Sequence, residues 1–301
     1  MKRYNDLKSF LLKRYGVKMV KISLDGGFTC PNRDGSVGVG GCIFCDERGS
    51  REKELDTNDI SLQISKKVEE LVQKKEAEKF IAYFQNFSGT YGALETLRKK
   101  YTAALAERVA ILSIGTRADC INEDILRLLA DIAEKEKVDV WIELGLQTSS
   151  DLTAEIINRC CKTELFSRAV DRIKSYGFEA VAHLMFGLPG ESEQMMLDTV
   201  RYAAASGISG VKFHAVYIMK GTVLEELFNR GEYKAITRGE YLNIIAKAIP
   251  LLPTSVVVHR LVSSCKRETL IAPLWVKDKP GSLNAIEEKF ERDNIVQASG
   301  L

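Results

Sequence analysis

No stretch of this sequence approaches the roughly 20 uninterrupted apolar residues that a membrane-spanning helix needs, so no membrane association is expected. The first residues, Met-Lys-Arg-Tyr-Asn-Asp-Leu-Lys, lack the apolar core of a secretory signal. A cytoplasmic location is expected, where thiols stay reduced and clustered cysteines point to metal or redox chemistry. Excess charge of one sign is also lacking. The net charge is only +2, so composition alone does not call for a nucleic-acid partner. Internal repeats, low-complexity segments and long linkers are absent, and histidine occurs only three times, at His183, His214 and His259.

What is present is ordinary for a folded domain. Hydrophobic residues make up 45% and charged residues 28%, and 301 residues suffice to bury a large core. The charge is unevenly spread. Lys2, Arg3, Lys8, Lys13, Arg14, Lys18 and Lys21 face a single acid, Asp6, within the first 24 residues, and Arg48, Arg51 and Lys53 follow. A solvated helix face is the favoured account of such a run, and a phosphate-binding surface the alternative.

Apolar strands alternate with helices along the chain. After an amphipathic N-terminal helix, strands are expected at 19–24, 80–85, 109–115, 138–146, 179–186 and 210–217. Helices are expected near 59–75, 93–105, 123–134, 151–159, 164–175 and 192–205. Strands dense in apolar residues and separated by helices predict a parallel sheet covered on both faces. Polar residues fall within or just after nearly every strand: Gln85-Asn86, Thr116-Arg117, Glu143, Gln147, His183 and His214. An open doubly wound sheet would gather them at one switch point. The expected fold is therefore α/β, a partial (β/α)6 barrel of TIM type whose active site lies at the C-terminal strand ends. The core is expected over residues 1–250. A short extension, 251–301, would carry a last strand at Ser255-Val-Val-Val-His and pack on the core.

The densest signal is Cys30, Cys42 and Cys45, spaced C-x11-C-x2-C in a glycine-rich loop after the first strand. Three thiolates neither close a tetrahedral zinc site nor ligate every iron of a four-iron cluster. A metal centre does chemistry at its open position, so this set points to a reactive centre. Cys120, Cys160, Cys161 and Cys265 show no C-x-x-C pairing and are read as ordinary thiols, with a second cluster as the minor alternative.

The loop Leu24-Asp-Gly-Gly-Phe-Thr-Cys-Pro-Asn-Arg-Asp-Gly with Gly40-Gly-Cys-Ile-Phe-Cys45 resembles the radical S-adenosylmethionine (SAM) superfamily. Thr116-Arg-Ala-Asp-Cys120, Glu143-Leu-Gly-Leu-Gln-Thr148, Ile157-Asn-Arg159 and Gly187-Leu-Pro-Gly-Glu191 extend the resemblance over nearly the whole chain. Within the superfamily it is nearest to the YhcC/YtqA-like group of the elongator-type branch. The resemblance implies that Cys30, Cys42 and Cys45 hold a [4Fe–4S] cluster whose open iron is chelated by SAM. One-electron cleavage of SAM would give a 5′-deoxyadenosyl radical that abstracts hydrogen from the substrate. It further implies tRNA as partner, an external electron donor of flavodoxin or ferredoxin type, and modification of the wobble uridine, trimming carboxymethylaminomethyl toward aminomethyl. The same chemistry on a small metabolite or cofactor precursor is the alternative. A non-enzymatic zinc protein, with a fourth ligand from elsewhere, is the alternative of another class.

Phe44 is expected on the adenine side of the cofactor or in the core. Glu143 and Gln147 are cofactor candidates, because a carboxylate in an apolar strand needs partners. A buried ion pair of Glu143 with Arg117 or Arg159 is the competing account. Either arginine could instead hold a carboxylate or phosphate, and Arg159 could also be surface charge. The superfamily's Gly-Gly-Glu segment is replaced here by Gln85-Asn86-Phe87-Ser88-Gly89-Thr90, so Gln85, Asn86 and Ser88 would take its place. His183, His214 and Cys161 are the catalytic candidates; Cys161 stands where relatives often carry histidine. Lys220-Gly221-Thr222 reads as a substrate loop or a helix-entry turn.

Overall fold

The computed structural model describes residues 2–46, 59–263 and 268–301. Arg48, Arg51, Lys53 and Cys265 lie outside the described residues. Helix α1 (Leu7–Tyr15) starts where Asp6 accepts a hydrogen bond from Ser9 N and ends at Gly16, whose φ of 73° suits a residue without Cβ. The chain then alternates. It runs β1 (Met19–Leu24), α2 (Ile60–Gln73), β2 (Lys79–Phe84), α3 (Leu94–Ala103), β3 (Val109–Arg117), α4 (Glu123–Glu136) and β4 (Asp139–Gln147). Next come α5 (Asp151–Ile156), α6 (Glu164–Ser175), β5 (Glu179–Phe186), α7 (Glu193–Ala205), β6 (Gly210–Ala215) and β7 (Ile218–Met219). Helices α8 (Val223–Asn229) and α9 (Arg238–Ala248), strands β8 (Val257–Arg260) and β9 (Leu270–Ala272), and α10 (Lys279–Arg292) complete it.

Seven strands form one parallel sheet in the order β1-β2-β3-β4-β5-β6-β8. The expected six units are thus joined by a seventh strand, β8, which pairs with β6. The segment after Pro250 therefore builds part of the sheet as well as packing on it. Laid flat, seven strands would span about 29 Å at the usual spacing. Yet Tyr83, Thr116, Glu143, His183, His214 and Arg260, from β2 to β8, line a single cavity together with Cys30 after β1. The sheet must curl into an incomplete barrel to bring them together.

Period-2 alternation divides each strand between two environments. Phe80, Ala82 and Phe84 of β2 face the helices and belong to the main core. Ile81, Ile111 and Trp141 point into the barrel, where Leu11 of α1 packs on them. One inward step further along come Tyr83, Ser113 and Glu143. Helix α1 thus plugs the N-terminal end of the barrel, away from the cavity. The cations on and before α1, read as a solvated face with a phosphate-binding surface as the alternative, are therefore carried at the end of the barrel away from the cavity. Arg14 pairs with Asp139 at 3.0 Å and Glu179 at 2.6 Å, Lys2 pairs with Asp6, and Lys21 points inside.

Helix α5 stops at Ile156, short of the expected 159, because Asn158 and Cys160 adopt left-handed backbone (φ 51° and 50°). Thr222 caps α8 by accepting from Glu225 N, so Lys220-Gly221-Thr222 is a helix-entry turn.

Candidate active site

The cysteine loop is held over the barrel mouth by residues far along the chain. Asn158 Nδ2 donates to Val39 O (3.1 Å) and Gly41 O (2.8 Å), while Asn32 Nδ2 donates to Asn158 O at 2.6 Å. Ile43 N donates to Ile157 O, and Leu224 N to Ile43 O. Ser88 N donates to Thr29 O, tying the loop after β2 to the same segment. The asparagine of the Ile157-Asn-Arg159 segment is therefore a clamp. The sequence marked the motif, but only the fold shows what its middle residue grips.

Cys30, Cys42 and Cys45 all face a cavity of about 230 Å³ at the C-terminal strand ends. A turn closed by Cys45 N donating to Cys42 O sets the last two side by side. The Cys42 thiol is brought down to about 7 by the hydrogen bond from Cys45, aided by the Arg117 and Arg159 guanidiniums and opposed by burial. The same hydrogen bond, with burial, pushes Cys45 up. Asn32 Nδ2 also donates to Cys42 Sγ at 3.8 Å. A thiol so placed is predisposed to the thiolate form that binds metal.

Beside the thiols lie two arginines with different attachments. Arg117 forks onto Asp119 at 2.6 and 2.9 Å and donates to Arg159 O and Cys160 O. Arg159 is buried, 3% exposed, and donates to Gly145 O (2.7 Å) and Cys161 O (3.3 Å). It is not surface charge. Neither arginine pairs with Glu143.

Glu143 has other partners, and these the sequence did not reveal. Its Oε1 accepts from Lys21 Nζ and Ser113 Oγ, both at 2.8 Å. Its Oε2 accepts from Lys212 Nζ and lies 2.7 Å from His183 Nε2. Lys21 and Lys212 each sit 4.3 Å from the centroid of the Tyr83 ring. Burial would raise the Glu143 carboxyl, but the two ammoniums and His183 overcome it and hold it well below the usual range. The competing account, a buried ion pair, is right in kind and wrong in partner. Lys21 looked like one more cation of the N-terminal run, and Lys212 lies on β6, more than sixty residues after Glu143.

This charged layer floors the cavity. His183 stacks on His214 with ring centroids 5.0 Å apart. Burial, then Lys212, lowers His183 from 6.5 to about 4, although Glu143 pulls the other way. Burial lowers His214 and His259 as well, and His259 packs on Trp141 beneath the floor. The unfolded chain therefore binds protons that the folded chain refuses. Stability is expected to fall as pH drops from about 6.5 to about 4. Thermal unfolding midpoints across that window check this; a flat profile would show that the imidazoles are not held neutral.

Phe44, Gln85, Ser88, Arg117, Glu143, Gln147, Arg159, His183 and His214 all line the cavity with the three cysteines. Phe44 also packs on the satellite core of Ile43, Ile157 and Leu224. Two expectations fall outside. Asn86 is buried but does not line the cavity, and Cys161 Sγ is directed to Lys162 O. Arg33, Tyr83, Met185, Tyr217 and Arg260 line it without having been singled out. The sequence signal that could have found Tyr83 and Met185 is their inward place in the strand alternation.

The arrangement fits a bulky ligand next to a thiolate centre. Gly115 and Gly145 line the cavity on β3 and β4; a Cβ at Gly145 would stand 2.5 Å from Gln147 Nε2, and one at Gly115 3.1 Å from Phe84 O. The Nε2 of His214 is buried without a partner among the described residues. Among the described residues, no three His, Cys, Asp or Glu side chains are grouped to hold a single metal ion. In an iron–sulfur cluster, by contrast, each thiolate binds its own iron.

The Radical SAM superfamily matches residues 30–203, and the Radical_SAM C-terminal domain matches 208–292. The chain belongs to the radical SAM superfamily. Within it, YtqA of Bacillus subtilis is 34% identical over 298 residues, covering 98% of this chain and 92% of YtqA. A tRNA uridine(34) acetyltransferase of Methanocaldococcus jannaschii is 29% identical over 167 residues, 54% of this chain and 30% of that protein. The solved Elp3 of Methanocaldococcus infernus superposes with a TM-score of 0.68 at 19% identity, covering 93% of this chain and 64% of that one, which shows a shared fold. This radical SAM chain is therefore an enzyme, and its cofactors are a [4Fe–4S] cluster and SAM. No helix among the described residues is long and apolar enough to cross a membrane.

Proposed function

We propose that this radical SAM enzyme modifies the wobble uridine of tRNA, trimming a carboxymethylaminomethyl substituent toward aminomethyl. The observation that carries the reading is the similarity to a tRNA uridine(34) acetyltransferase across more than half of this chain. In this reading Cys30, Cys42 and Cys45 hold the cluster. When bound, cluster and SAM supply a 5′-deoxyadenosyl radical for hydrogen abstraction.

The remaining tasks belong to the chain. Asn158 and Asn32 fix the cysteine loop over the mouth, and the buried Arg159 offsets negative charge beside the thiols. Gln85, Ser88, Gln147 and Phe44 contribute polar and aromatic surface to the wall where SAM would lie. Below, the Lys21–Glu143–Lys212 layer closes the barrel with a satisfied polar floor, and α1 seals the far end against water. Cations at the barrel rim would carry the phosphate contacts.

Nucleoside mass spectrometry of tRNA from cells lacking the gene tests the reading. Accumulated 5-carboxymethylaminomethyluridine, with loss of its aminomethyl-derived products, is the expected result. An unchanged nucleoside profile would refute it. In vitro, a tRNA shift should weaken as salt rises, as phosphate contacts require; no shift even at low salt would count equally against it.

A further inference from the structure

Arg260 is the last residue of β8 and lines the cavity. It makes no hydrogen bond or ion pair with any described residue. The other lining arginines are engaged: Arg33 with Cys45 O and Asp46 O, Arg117 with Asp119, Arg159 with Gly145 O. Next to Arg260 in strand register is Lys212, whose ammonium is already committed to Glu143. Around the floor, Lys21 and Lys212 share the one carboxylate, Glu143, and burial with the neighbouring Lys21 and Arg260 charges pushes the Lys212 ammonium down, so Glu143 has no oxygen left for Arg260.

A second group in the same place also wants a partner. His214, on β6 beside β8, stacks on His183 and leaves its Nε2 buried and unsatisfied. An unpaired buried polar atom costs free energy unless a ligand completes it. The Arg260 charge acts on His183 and His214, while the charges acting on Cys42 and Cys45 come from Arg117, Arg159 and Arg33. The guanidinium charge is thus felt on the histidine side of the cavity.

We propose that Arg260 and His214 form the seat for an anionic group on the substrate, a carboxylate held in the fork of the guanidinium with His214 Nε2 as neighbour. The planar fork donates to carboxylate or phosphate oxygens equally well, so the shared chemistry is an oxyanion. Resting on the wobble-uridine reading, the seat would hold the carboxylate of the substituent, which sets the substrate apart from its aminomethyl product. A tRNA backbone phosphate is the other source, and the experiment separates the two.

The experiment uses the anaerobically reconstituted holoenzyme, with 5-carboxymethylaminomethyluridine and 5-aminomethyluridine as probes. Arg260→Gln is expected to weaken the carboxylate nucleoside by about 10- to 100-fold, the range of one charge-assisted hydrogen bond. The wild-type preference for it over the amine nucleoside should collapse, and Arg260→Lys should restore part of it. An unchanged preference, or an equal loss of SAM affinity, would overturn the proposal, the latter by assigning the guanidinium to the cofactor. Phenylglyoxal labelling of wild-type Arg260, read by mass spectrometry, gives an arm that needs neither variant nor nucleoside. Protection by acetate supports a carboxylate seat, and protection by inorganic phosphate alone overturns it in favour of the backbone. Acetate protection without binding of either nucleoside keeps the seat and defeats the uridine reading. Binding of both nucleosides with Arg260→Gln indifferent keeps that reading and defeats the seat.

Discussion

Cys42→Ala is expected to leave anaerobic reconstitution with little iron and sulfide, and to produce 5′-deoxyadenosine only at background. Cys42 is the thiol with the most support toward ionisation: the Cys45 hydrogen bond, two guanidiniums and the Asn32 amide all favour its thiolate. Removing it leaves two thiolates where a cluster with one open iron needs three. The fold should survive. The loop is clamped through the backbone and through Asn158, and the sulfur adds only the long 3.8 Å contact from Asn32, so far-UV circular dichroism is expected to match wild type. A variant that still makes 5′-deoxyadenosine would remove Cys42 from the assigned set.

The second large effect is on stability. Glu143→Ala leaves Lys21 and Lys212 facing each other across Tyr83 with no carboxylate between them. Stripping one partner from a buried ionic cluster costs about 3–5 kcal/mol, because uncompensated charge remains inside. For a domain of this size that lowers the unfolding midpoint by roughly 10 °C. The double variant Glu143→Leu/Lys212→Met removes one cation along with the anion, and should recover part of the loss. Differential scanning calorimetry of the single and double variants checks both. A loss below about 1 kcal/mol for the single variant would mean that the layer is hydrated and not a sealed floor.

These expectations show which features the sequence carries openly. Local signals were legible. The apolar runs at Val109–Gly115 and Val138–Leu146 announced buried parallel strands, and C-x11-C-x2-C announced a thiolate centre with a vacancy. Polar residues at successive strand ends announced a barrel mouth. What stayed hidden depends on curl and register. Lys21 could not be told from the surface lysines around it, because only the curled sheet brings β1 and β6 to β4. Arg260 sat in an expected extension, and only its pairing with Lys212 turns that residue toward the cavity. Asn158 stands in the Ile157-Asn-Arg159 motif with nothing local to show its role, because its contacts lie almost 120 residues away in the cysteine loop. Cys161 is the converse case. Its position in the motif suggested chemistry, but its side chain turns toward Lys162 O and outside the cavity lining.

The account stands on one claim: three thiols at the barrel mouth hold an iron–sulfur centre at which SAM is cleaved. The most direct measurement is 5′-deoxyadenosine formation by the anaerobically purified wild-type protein, with metal content determined on the same sample. The predicted result is a brown protein with iron and sulfide that bleaches with dithionite and releases 5′-deoxyadenosine only when both reductant and SAM are present. A colourless protein carrying stoichiometric zinc and forming no 5′-deoxyadenosine would contradict it.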